Sequence, residues 1–75
     1  MKSKYEVLWY EKVEEYVGDL KPSFVVEYSH TKEFSSKKSA LNFYEKIKKD
    51  KNLYGFWVTK RNAETWEVLE DIISQ

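Results

Sequence analysis

The side chains of this 75-residue sequence that could do covalent or acid–base chemistry are few, and their spacing excludes more than it permits. The single histidine, His30, lies in "EYSHTKE", and there is no cysteine. A histidine base could therefore activate only a serine. Ser29 is its neighbour and, on a strand, points to the opposite face; Ser35, Ser36 and Ser39 fall where a helix begins, and capping accounts for them. No G-x-S-x-G is present, so the sharp strand-to-helix turn that exposes a nucleophilic serine cannot be written. Glu14 with Glu15, and Glu70 with Asp71, are adjacent carboxylates that diverge on a strand, whereas general acid–base work needs two groups converging in a cleft. A metal would have His30 and carboxylates with no recognisable ligand spacing. The two glycines, Gly18 and Gly55, cannot form a P-loop or a G-x-G-x-x-G loop. The expectation is no catalytic residue, no metal, no cofactor and no enzyme activity, with His30 a solvated strand residue.

What remains is binding chemistry. Six Tyr, four Phe and three Trp give an aromatic content of 17% at a mean hydropathy of −0.75, so large rings supply apolar area from few positions. The stretch "LYGFWVTKR" poses the problem directly. Strand alternation puts Tyr54, Phe56 and Val58 on one side and Leu53, Trp57 and Thr59 on the other, and both sides are apolar. Of the adjacent rings, Phe56 is expected to be core and Trp57 to be exposed for use. The candidate binding residues are Trp9, Tyr28, Tyr54, Trp57, Lys60 and Arg61.

Two partner classes fit rings beside cations. An aromatic centre with a charged rim is the composition of a protein interface, and the same patch can serve a twofold homodimer. Alternatively, rings on a sheet with lysines nearby stack the bases of a nucleic acid or nucleotide. Thirteen basic and thirteen acidic side chains cancel, and Arg61 is the only arginine, so the phosphate-binding capacity is modest. Residues 32–61 carry nine basic and three acidic groups, but the run "EKIKKDK" also suits a helix C-terminus. The expected function is therefore a small non-enzymatic interaction protein that binds a protein partner, itself, or both, with nucleic acid or a nucleotide as the alternative.

These side chains need elements to position them. From Lys4 to Val17, Tyr5, Val7, Trp9 and Val13 alternate with polar residues, and from Phe24 to Phe34 the even positions do the same; both are strands. "VGDLKPS" between them contains the turn residues Gly18, Asp19 and Pro22. Ser35 or Ser36 caps a helix whose face is Ala40, Phe43, Tyr44 and Ile47. Residues 53–61 are a third strand and "RNAE" a turn. The last segment reads as a strand over Thr65–Glu70, with a second helix capped by Asn62 as the alternative. The chain is thus one α+β domain spanning 1–75, ββαββ, with a four-stranded antiparallel sheet and one helix packed on one face.

No apolar run approaches the ~20 residues that span a bilayer, and the N-terminus lacks a secretory signal pattern. With no cysteine, a soluble protein of the reducing cytoplasm is expected, without membrane contact. Small, lysine-rich, cysteine-free, aromatic-heavy sequences of this kind resemble accessory proteins of phages and mobile elements. That resemblance implies inhibition of a host protein by binding it.

Overall fold

A computed structural model describes residues 2–16 and 22–74, with the side chains of 15, 16 and 22–25 outside the description. Gly18 and Asp19 of the expected turn, and the Phe24 ring, lie outside the described residues. The elements are β1 (Ser3–Tyr16), β2 (Pro22–Phe34), α1 (Lys37–Ile47), β3 (Leu53–Asn62) and β4 (Val68–Ser74). They form one antiparallel sheet in the order β2-β1-β3-β4 with the helix on one face, the expected ββαββ architecture. The C-terminal segment is a strand, but later than expected. Thr65 and Trp66 belong to the turn, because the Asn62 side-chain oxygen accepts from the Glu64 and Thr65 amides and Trp66 adopts a left-handed φ of 64°.

The helix forms where the period changes from two to about 3.6. Ser36 has extended backbone and its hydroxyl accepts from the Ser39 amide, satisfying one of the amides that every helix start leaves open. Ala40 and Tyr44 are buried on the inner face, with Phe43 and Ile47 partly buried beside them. At the other end Lys48 pairs with Glu45 at 2.6 Å, and its ammonium lies over the Tyr44 ring.

Facing the helix, β1 contributes Tyr5, Val7 and Trp9, and β3 contributes Phe56 and Val58. Val7 and Val58 are direct cross-strand partners and neither is exposed at all. Phe56 meets Tyr44 edge to face at 5.6 Å, and Phe43 packs on both Trp9 and Phe34. Phe56 is thus the core ring, as expected, and the adjacent Trp57 lies on the opposite side of the sheet.

The rest of the "LYGFWVTKR" alternation does not hold. Opposite Leu8 stands Trp57, but opposite Tyr10 stands Tyr54, so two residues of β3, Gly55 and Phe56, span the single residue Trp9 of β1. This is a β-bulge, and Gly55 occupies it at φ 63°, the left-handed position that glycine fills without cost. The extra residue inverts the side-chain order before it. Leu53 therefore joins the core side, and Tyr54 joins Trp57 on the other face.

Eleven residues of helix are about 16 Å long at ~1.5 Å per residue, whereas the fourteen residues of β1 run to about 45 Å at ~3.3 Å per residue. The molecule is correspondingly elongated, 55 × 25 × 17 Å. The helix covers about a third of one face. Of the other face it covers nothing.

Candidate binding face

The face away from the helix is built from Glu6, Leu8, Tyr10 and Lys12 of β1, Tyr54, Trp57, Thr59 and Arg61 of β3, and Val68 and Asp71 of β4, as the cross-strand partners fix. No described element lies over it. At its centre the Tyr10 ring stacks on Tyr54 at 5.7 Å and meets Trp57 edge to face at 5.9 Å. The bulge makes this cluster possible. Without it Tyr54 would point into the helix side, and with any residue larger than glycine at 55 the Tyr10 ring would be displaced, since a Cβ there would lie 2.9 Å from Tyr10 Cδ2.

Charged groups rim the rings. The Lys12 ammonium lies 4.9 Å from the centre of the Tyr54 ring, a cation–π distance. Burial pushes the Tyr54 phenol up to about 12, and the Glu27 carboxylate beside it acts in the same direction. At the β4 end Arg61 donates from Nη1 to the Trp66 carbonyl at 2.9 Å and lies over the Trp66 ring, while its Nε is 3.5 Å from Glu6 Oε1. A bulky residue at positive φ is strained, and these two Arg61 contacts hold Trp66 there. Thr59 is 7% exposed, and its hydroxyl has no hydrogen-bond partner among the described residues.

The six candidate binding residues are divided between the two faces. Tyr54, Trp57 and Arg61 are together on the helix-free face. Trp9 instead packs on Phe43 under the helix, Lys60 stands opposite Tyr5 on the core side, and Tyr28, 44% exposed, lies on the helix side of the β1–β2 ribbon beyond the helix. Leu8 and Tyr10 were not among the candidates, though both sit at the centre of the face. Cross-strand pairing with Trp57 and Tyr54 would have found them.

His30 is not simply solvated. Its ring stacks on Trp9 at 5.5 Å and its Nε2 donates to Glu11 Oε1 at 3.1 Å, the proton being on that nitrogen because a carboxylate only accepts. Ser29 points to the opposite face of β2, and Ser36 is engaged in capping. Among the described residues no group of three or more histidines or carboxylates is placed to hold a metal. A wide hollow of about 560 Å3 where β3 begins, lined by residues 11–14, Lys51 and Asn52, carries no ring.

The charge asymmetry of the sequence becomes a spatial one. Lys37, Lys38, Lys46, Lys48 and Lys49 are exposed on the helix or just after it, on the side opposite Tyr10, Tyr54 and Trp57. No helix among the described residues is long and apolar enough to cross a membrane. Comparison with protein-family models, with curated proteins and with solved structures gave no match in any of the three.

Proposed function

We propose that this chain is a non-enzymatic interaction protein whose helix-free sheet face, centred on Tyr10, Tyr54 and Trp57, binds a protein surface. The observation that carries the reading is the aromatic cluster itself, the Tyr10 ring in contact with both Tyr54 and Trp57 on a face with no described element over it. The three rings are half-buried, each keeping an edge toward solvent, and Tyr and Trp are the residues that anchor protein interfaces. The cluster is also held in place before any partner arrives. A ring fixed by a bulge and two neighbours loses little freedom on binding.

A base-stacking platform needs rings and phosphate-binding cations on one surface. Here most of the described lysines lie on the helix side; of the cations on the ring side, Lys4 is paired with Glu33 and Arg61 is engaged with Glu6 and Trp66, which leaves Lys12 beside the Tyr54 ring. The arrangement therefore favours protein over nucleic acid. Inhibition of another protein by occupying its surface, in a reducing cytoplasm, is the natural extension of this reading.

The test combines solution mass and proximity. Light scattering over a concentration series, with and without a mixed-sequence single-stranded oligonucleotide, is run beside crosslinking in cells from a photoreactive residue at position 8 or, as control, at position 38 on the helix. A protein adduct formed from position 8 but not 38, and lost in Trp57→Ala, is expected. A chain whose mass rises only with the oligonucleotide would overturn the proposal.

A further inference from the structure

Between the aromatic cluster and the β4 edge, the helix-free face sinks into a hollow of about 280 Å3. Leu8, Trp57 and Val68 form apolar walls, Glu6 and Asp71 bring carboxylates to it, and Thr59 lines it as the most buried of its residues. The Thr59 hydroxyl is out of contact with solvent and has no partner among the described residues, an arrangement that costs the desolvation of a polar group with nothing returned. Arg61 also borders the hollow; its Nη1 donates to the Trp66 carbonyl and its head lies over the Trp66 ring, while its buried Nε stands 3.5 Å from Glu6 Oε1 with no hydrogen-bond partner among the described residues.

Apart from Arg61, the polar groups and the ring that line the hollow favour positive charge. Two carboxylates and a hydroxyl oxygen can accept from the N–H groups of a cation, and the face of an indole attracts its charge. Glu6 retains this capacity, because its 3.5 Å approach to Arg61 Nε occupies only part of a carboxylate. The surrounding face has the same sign. Glu14, Glu27 and Glu33 lie along it and outnumber Lys4, tied to Glu33 at 3.9 Å, and Lys12, which lies over the Tyr54 ring. Two copies meeting face to face would set these acids against each other, so the occupant is a different chain.

The geometry points to the hollow as the receptor for a lysine or arginine side chain of a protein partner, with Glu6 and Asp71 as its counter-charges, Trp57 as its cation–π platform and Thr59 as an additional acceptor. The inference rests on the reading of this face as a protein-binding surface. It adds the sign and the size of what that partner must present at one point.

The test is an amide-resolved NMR titration of the whole chain with three probes, the N-acetyl N-methylamides of arginine, glutamate and norleucine. The arginine probe is expected to move the Trp57 indole N–H and the Thr59 and Asp71 amides saturably, and the glutamate probe to leave them in place. Asp71→Asn should weaken the arginine response by about threefold or more, the size of one exposed charge contact, without altering thermal unfolding. Thr59→Val, which keeps the side-chain shape and removes the unpartnered hydroxyl, should raise the melting temperature and weaken the same response. Equal shifts from the arginine and glutamate probes, or an arginine response confined to other residues, would overturn the inference. Norleucine shifts at Tyr10, Tyr54 and Trp57 without an arginine response would overturn it while leaving the binding face intact, and silence from all three probes would count against both.

Discussion

Replacing Gly55 by alanine tests the bulge that sorts the rings of β3. At φ 63° an L side chain is in the left-handed region, which costs about 1–2 kcal/mol for a residue with a Cβ. The new methyl carbon would also meet Tyr10 Cδ2 at 2.9 Å and Trp57 Cζ3 at 3.1 Å. Overpacking in a closed core costs ~1–3 kcal/mol, but both rings border an open face and can swing outward, so the lower end applies. The sum is about 2–3 kcal/mol. A chain of this length has a total stability of roughly 4–11 kcal/mol at ~0.05–0.15 kcal/mol per residue, so the variant should fold but be visibly weakened. Urea unfolding followed by tryptophan fluorescence should show a midpoint lower by about 2 M if the slope is near the ~1 kcal/mol/M of small domains. Gly55→Asn separates the two causes, since asparagine tolerates the left-handed region yet carries the same Cβ. It should lose about half as much. An unchanged midpoint for Gly55→Ala would refute the bulge as described, and equal losses for the two variants would mean that the ring contact, not the backbone, sets the cost.

Phe56→Ala removes a buried ring that meets Tyr44 and should cost ~3–5 kcal/mol, whereas Trp57→Ala, on the open face, should cost about half that and leave a folded monomer in urea titrations. Should both variants unfold alike, Trp57 is core. Spectrophotometric titration of the six tyrosines should show Tyr54 ionising late, near 12, against 10.0 for an unperturbed phenol. Because the folded value lies above the unfolded one, this contribution to stability is fully present below pH 10 and is lost as pH rises through 12; Tyr54→Phe should abolish the late step, and its persistence in that variant would reassign it. Ser36→Ala should lower stability by about 1 kcal/mol through loss of the helix cap, a change to be read from the midpoint of thermal unfolding, with no shift pointing to a cap supplied by another group.

Local periodicity carried the fold a long way. The period-two rows of β1 and the helical spacing of Ala40, Phe43, Tyr44 and Ile47 are direct records of which side is buried, and each appears in the structure as read. The order of faces in β3 failed at a single residue. A lone glycine inside a strand pattern is itself a bulge signal, and taken that way it would have moved Tyr54 to the Trp57 side. The start of β4 was missed because Thr65 and Trp66 have strand composition but are consumed by the turn that Asn62 organises. The candidate site was half legible. Residue type identifies rings and cations, but which of them share a face depends on registers that join segments some fifty residues apart, and those arise only when β1 meets β3.

That pairing has a kinetic consequence. The β1–β2 and β3–β4 hairpins are local in sequence, yet an isolated two-stranded hairpin is marginal in water, so neither is stable until the central strands join. The Val7–Val58 contact that seals them closes a loop of about fifty residues, at an entropic cost of roughly 3–4 kcal/mol by loop-closure scaling. The helix lies within that loop and packs on both of its ends, so its formation shortens the search. Folding should therefore be limited by the meeting of the two halves, slow for a chain this small, with substitutions at Val7 or Val58 acting on the folding rate and those at the ends of the long ribbon acting chiefly on unfolding.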